Sequence, residues 1–224
     1  MRRNLLNEYL QDEKGAACPS QKIQYSALRS VLENPLDSSA IFFMYPAQNN
    51  ALGTYELLPG NFVTICISLL HPSSRGHVHI QSADATQAPT IDPKYLSHPL
   101  DMAIFARHLL YIDVLTKTQP LASILKPNGQ RNSPNAFIKD LREAEEYIRA
   151  KVESNWRPTG TYPMMPREIG GVVNERLLVY GVKRLRIIDA SIFPLITRGN
   201  CQSSVYAVAE RAADLIKEDH GLPT

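Results

Sequence analysis

Between residues 156 and 200 the sequence gathers the side chains most able to do chemistry. Trp156-Arg157-Pro158-Thr159-Gly160-Thr161 sets a guanidinium in a Pro/Gly turn. Leu185-Arg186-Ile187-Ile188 runs into Asp189-Ala190-Ser191, and Gly199-Asn200 precedes a long helical pattern. A guanidinium stays protonated, so Arg157 cannot serve as a general base near neutral pH; it can stabilise a developing oxyanion or bind an anionic group. The Asn200 amide can donate and accept hydrogen bonds. Local structure offers a second account of two of these residues: Asp189 at a strand end can cap a turn, and Asn200 after Gly199 can cap the following helix.

Other reactive residues are less well assembled. His77 and His79 share one face of an expected strand, but no third or fourth ligand lies near them in sequence, so a solvated strand face is expected rather than a metal site. His71 and His98 precede prolines in turns and read as structural. Ser191 has no nearby His/Asp arrangement, which argues against a hydrolase triad. Cys18, Cys66 and Cys201 are too few and too scattered for a disulfide framework or a zinc centre.

The elements that must position these residues follow from periodicity. Leu5 to Leu10 and Ile23 to Leu32 read as short helices, and Ile41-Phe42-Phe43-Met44-Tyr45 as a buried strand. Phe62 to Leu70 is apolar with β-branched enrichment and reads as a strand; His77 to Gln81 alternates polar and apolar residues and reads as another. The turn His71 to Gly76 predicts that these two pair antiparallel with one buried face. From Pro99 a helix places Met102, Phe105, Leu109 and Ile112 on one side. A second helix carries Leu141, Ala144, Ile148 and Val152, with Arg142, Glu145, Glu146 and Arg149 as its wet side. Pro127 to Pro134 joins the two as an exposed loop. Leu185 to Ile188 is expected as a short buried strand, and Val205, Val208, Ala209, Ala212, Leu215 and Ile216 as the inner face of a last helix. Antiparallel strands with segregated helices make the fold class α+β.

The order and spacing of several of these segments resemble the C-terminal part of the glucose-methanol-choline (GMC) family of FAD-dependent oxidoreductases. The resemblance rests on Trp156 to Thr161, Gly170-Gly171-Val172-Val173, Leu185 to Ser191, Gly199-Asn200, and Ala209 to Ile216, with His71 to Ile80 and Pro89 to Asp101 upstream. The upstream pieces are particularly like fungal members, among them a synthase that closes a ring without net redox change. The resemblance implies an antiparallel substrate-side sheet with flanking helices, plus a C-terminal strand and helix that complete a flavin-binding domain. It divides the chain into an N-terminal segment (1–60), a substrate-side domain (61–155) and a signature segment that returns to the flavin (156–224).

The chemistry the resemblance implies is transfer of hydride from an alcohol carbon to the flavin N5, with a base taking the hydroxyl proton. Family members usually place a histidine in the turn that here reads Arg157-Pro158-Thr159-Gly160-Thr161, and His or Asn at the position of Asn200. Arg157 and Asn200 are thus the inherited catalytic positions, and Asp189, Ala190 and Asn200 the cofactor contacts. The dinucleotide fold that would cradle the FAD pyrophosphate is expected to be missing, since the sequence holds no Gly-x-Gly-x-x-Gly turn. The expected partners are a small organic alcohol or a polyketide-like substrate, and a separate chain supplying the FAD-binding half. A non-redox cyclase and a non-catalytic remnant or partner-binding module are the alternatives.

Composition restricts the remaining classes. With 44% hydrophobic and 21% charged residues the chain is ordinary globular material, and its sixteen prolines favour a loop-rich fold over a helical bundle. A formal charge of +2 gives no electrostatic reason to expect a nucleic-acid or membrane partner. The sequence shows no signal-peptide pattern and no membrane-length apolar run, which makes a cytoplasmic protein the default expectation.

Overall fold

The computed structural model describes residues 2–10, 19–50, 53, 56–126, 129, 131 and 137–223. In chain order these form α1 (Arg2–Tyr9), α2 (Pro19–Glu33), β1 (Ala40–Tyr45), β2 (Thr64–Leu69), β3 (His77–His79), β4 (Thr90–Asp92), α3 (Pro99–Lys117), α4 (Leu121–Ile124), α5 (Leu141–Lys151) and α6 (Gln202–Asp219). Two 3-10 turns, Arg167–Ile169 and Ala190–Ile192, punctuate the segment before α6. Helices and small antiparallel sheets coexist, as the α+β reading requires. Most of the loop expected over Pro127 to Pro134 lies outside the described residues.

Helix α3 organises the first half because its start is chemically defined. His98 takes an extended backbone, its Nδ1 accepts from the Leu100 amide at 3.3 Å, and Pro99 opens the helix where its missing N–H costs nothing. Asp101 in the first turn is buried, and its two carboxylate oxygens accept from the amides of Ser73 (2.7 Å) and Ser74 (2.8 Å). Anionic charge in a helix's first turn also suits the helix dipole. The Ser74 hydroxyl closes the arrangement by accepting from the His98 amide at 3.0 Å. Along its length α3 buries Met102 and Ala106 against Ala144 and Ile148 of α5, and Leu100 against Leu6 of α1 and Leu32 of α2. Helix α5 begins with Asp140, whose carboxylate accepts from the Glu143 amide at 2.8 Å.

The strand pairing differs from the sequence expectation. β2 does not pair with β3: it pairs antiparallel with β1, Ala40 opposite Leu69 and Tyr45 opposite Thr64, while β3 pairs with β4. The reason is the anchoring of Ser73 and Ser74 to Asp101, which carries the chain away from β2 toward the start of α3. Gly76 then runs so close to β4 that a Cβ there would sit 2.2 Å from the Asp92 carbonyl oxygen. In β1 the alternation is two-sided. Phe42 meets the rings of His108 (5.6 Å) and Tyr111 (6.1 Å) of α3, while Ile41, Phe43 and Tyr45 face the other way, opposite Ser68, Cys66 and Thr64.

A second correction concerns Leu185 to Ile188, which is no strand. One isolated bridge joins Leu178 to Arg186, flanked by hydrogen bonds from the Val179 amide to Leu185 (2.9 Å) and from the Ile187 amide to Leu177 (3.1 Å). Positive φ angles at Leu177 (63°) and Arg184 (60°) break the extended backbone on both sides, and Leu185 is exposed rather than buried. The core here comes instead from Val173, Leu177 and Ile192 packed on Ala212 and Leu215 of α6. Arg176 pairs with Glu218 and Asp219, and Arg186 with Asp219, which ties the end of α6 to the same segment.

Candidate functional site

Two stretches far apart in sequence run side by side. The Tyr162 amide donates to Ser191 (3.0 Å) and the Met164 amide to Ile192 (2.8 Å). Gly160, at φ 85°, comes so close to Phe193 that a Cβ would lie 3.2 Å from its carbonyl oxygen. This alignment carries the Arg157–Thr161 turn and the Pro194–Asn200 run to the same place. Both line one open concavity of ≈ 2480 Å³, whose other wall includes Phe43, Tyr45 and Cys66 on the free face of the β1–β2 sheet.

Arg157 and Asn200, the expected catalytic positions, both line this concavity. Arg157 is half-buried, and its Nη1 donates to the Asn155 carbonyl; Asn200 is exposed. The expected helix cap at Asn200 is not observed: the cap position is Cys201, whose side chain makes no capping bond. Asp189 and Ala190 do not line this concavity. Asp189 is exposed and caps the 3-10 turn, its Oδ1 accepting from the Ser191 amide at 2.8 Å. Next to them the Ser191 hydroxyl is buried and finds no hydrogen-bond partner among the described residues. Such an orphaned hydroxyl is costly unless a ligand or water completes it. The rings of His77 and His79 lie tilted at 33° with centroids 4.8 Å apart, and no cluster of three or more ligating side chains occurs among the described residues.

Three further contributors were not singled out from sequence. Asp37, in the turn before β1, accepts from Arg198 at 2.9 Å and lies 3.6 Å from His71 Nε2, so it fastens the Asn200 loop to the β1–β2 sheet. The Arg198 hydrogen bond holds the Asp37 carboxyl below its ordinary value. Tyr45 on β1 and Cys66 on β2 both line the concavity, and burial pushes both the Tyr45 phenol and the Cys66 thiol up. Trp156 is the third: it is the one tryptophan of the chain, exposed, and sits at φ 49° beside Arg157. Only the Tyr45–Cys66 pair had a local signal, the alternation of apolar residues along each strand.

Residues 72–209 match the GMC oxidoreductase family, in its C-terminal part, and the chain belongs to that family. Among curated relatives, the dehydrogenase mpl7 of Monascus purpureus is 32% identical over 213 residues, covering 90% of this chain and 33% of that protein. Among solved structures, an FAD-dependent oxidoreductase from Chaetomium thermophilum superposes with a TM-score of 0.81 at 23% identity, over 99% of this chain and 37% of that one. A fungal aryl-alcohol oxidase superposes with a TM-score of 0.68 at 26% identity, over 97% of this chain and 34% of that one. The chain thus spans about a third of the length of the relatives it matches. No helix among the described residues is long and apolar enough to cross a membrane.

The family's cofactor is FAD, and part of it fits the residues present. Asn200 and Arg157 offer hydrogen-bond donors on one concavity. The fit extends to the flavin end alone, because these 224 residues contain no glycine-rich turn to cradle a pyrophosphate.

Proposed function

We propose that this chain forms the substrate-side and flavin-edge part of a GMC-type FAD-dependent oxidoreductase acting on a small organic alcohol or polyketide-like substrate in fungal secondary metabolism. The observation that supports this reading is that Arg157 and Asn200, the two positions the family resemblance singles out for catalysis, line the same concavity. Asp189, Ala190 and Asn200 are the proposed contacts to the flavin end of FAD, with the pyrophosphate held by residues outside these 224 or by a separate chain. The fungal relatives support the pathway class, and the default compartment remains the cytoplasm.

Bound flavin would supply a hydride acceptor for the alcohol carbon. Asn200 orients the substrate oxygen by hydrogen bonding. Arg157 cannot take the hydroxyl proton, but it can hold the oxygen as its negative charge grows, leaving the proton to another acceptor such as water. The β1–β2 face, with Phe43 and Tyr45, gives the substrate an apolar wall.

A second reading is favoured by Arg157 itself. Ring closure without net redox change can use charge stabilisation alone, and product formation without dye reduction or oxygen uptake would identify it. The third, a partner-binding module without activity, is supported by exposed apolar residues such as Leu185 and Tyr206, and by the loss of the usual histidine. Its mark would be a stable complex with a chain carrying the rest of the family's length.

The test is a visible absorbance spectrum of the purified chain after mixing with FAD and removing the excess. Flavin bands that persist at near one flavin per chain support the first reading. A protein that stays colourless even when a chain carrying the rest of the family's length is supplied overturns it.

A further inference from the structure

We infer that Trp156 and Arg157 form a recognition element for a planar aromatic carboxylate, so that the substrate taken by the concavity carries an anionic group beside an aromatic ring. This inference rests on the proposed use of the Arg157–Asn200 concavity and adds the substrate class to it.

The first observation is conformational. Trp156 adopts φ 49°, a left-handed backbone that bulky residues avoid, and its side chain is 74% exposed. A tryptophan gains most from burial, so strain and exposure together at one position are unexplained by folding. The backbone is held there in part by the Trp156 amide, which donates to Ser154 Oγ at 2.9 Å. Both Trp156 and Arg157 line the concavity.

The second observation is a surplus of donors. A guanidinium carries five N–H groups in a planar fork. The one hydrogen bond that Arg157 makes among the described residues is to the Asn155 carbonyl, and no carboxylate of the described residues pairs with it. Three acidic groups elsewhere on the lining are committed, and the fourth, Glu153, forms no ion pair with Arg157 among the described residues. Asp101 is spent on Ser73 and Ser74, Asp113 pairs with Lys117 and Arg131, and Asp92 accepts from the Lys94 amide. An Arg fork matches a carboxylate in a bidentate way, and an indole face adjoining it stacks an aromatic ring. The same residue that disables proton abstraction thereby gains a use.

The chain carries its own reporter, since Trp156 is its one tryptophan. The flavin-free protein is titrated with benzoate, cyclohexanecarboxylate and benzyl alcohol while indole fluorescence is followed. Saturable change with benzoate is expected in the millimolar range or better, as suits so small a ligand. Binding should be about tenfold weaker for benzyl alcohol, which lacks the charge, and weaker for cyclohexanecarboxylate, whose ring is saturated and offers no aromatic face. Arg157→Gln should weaken benzoate by about tenfold or more, with Arg157→Lys falling between. Equal binding of benzoate and benzyl alcohol, or no saturable change with benzoate, overturns the inference, and this comparison on the unmodified chain does not depend on any variant folding. Flavin retention is scored separately. Retained flavin without benzoate preference sinks only the substrate class, and benzoate preference in a chain that stays colourless even with the rest of the family's length supplied sinks only the flavin reading.

Discussion

Asp37 accepts a hydrogen bond from Arg198 at 2.9 Å across 161 positions of sequence. That contact is what joins the turn before β1 to the loop that presents Asn200, two residues beyond Arg198. Asp37→Asn is expected to loosen residues 197–201, seen as a few-fold faster amide hydrogen exchange there with little change in the α3–α5 core. The pair is partly exposed, which keeps the effect small. The pH dependence has a definite sign. Because the folded carboxyl lies below its ordinary value of 3.8, its contribution is present above that value and fades as pH falls through the lower folded one. The loop should therefore show the same protection at pH 7 and pH 5, once each rate is divided by the intrinsic rate at that pH, and loosen only in stronger acid.

Asp101 ties the His71–Gly76 turn to α3, and its removal should be felt by the whole fold. Asp101→Ala leaves the Ser73 and Ser74 amides without their acceptor in a buried place, at a cost of about 3 kcal/mol. Asp101→Asn keeps one acceptor oxygen and should lose about half as much. Urea unfolding midpoints with an unchanged slope would check both values; a loss below about 1 kcal/mol for alanine would contradict the anchoring role.

Gly171 is required by close approach rather than by an unusual φ. A Cβ there would sit 1.8 Å from the Met165 carbonyl oxygen, a backbone atom that cannot swing aside. Gly171→Ala is expected to cost more than about 3 kcal/mol and to disturb the Met165–Val173 region. Thermal unfolding, together with exchange at the Val172 and Val173 amides, reports on it. A near-neutral effect would mean that this turn has room the structure denies.

On the proposed reading, Arg157→His supplies a base at the position where the family resemblance expects one. In flavin-loaded protein, anaerobic flavin reduction by a primary alcohol should rise by about 10²-fold or more over the unmodified chain, followed by bleaching of the flavin bands. No gain would show that Arg157 is not what limits proton removal. The same variant should lose its preference for benzoate over benzyl alcohol.

Local chemistry explains which elements could be read in advance. Helices α3 and α5 announce themselves through apolar spacing that recurs every three or four residues, and α3 also through Pro99 at its start, whereas the caps at His98 and Asp140 emerged only from the structure. The inner face of α6 was legible for the same reason, in Ala212 and Leu215. Strand pairing was not, because a turn that looks ready to join β2 to β3 is held elsewhere by Asp101, a residue in another element. Leu185 to Ile188 has the composition of a buried strand, yet the positive φ at Arg184 and Leu177 leaves it one bridge long.

The sequence by itself determined the family, through motifs whose order survives at low identity, and it set Arg157 and Asn200 at the two positions proposed for catalysis. Those are properties of residue type and spacing. Only the tertiary structure decided that Arg157, Asn200 and the β1–β2 face share one surface, that Asp189 caps a turn away from it, and that Trp156 stands exposed beside the guanidinium. Such facts depend on contacts between residues far apart in the chain. Their formation is governed by backbone hydrogen bonds, such as those of Tyr162 and Met164 to Ser191 and Ile192, and by the packing of α6, none of which leaves a local periodic trace.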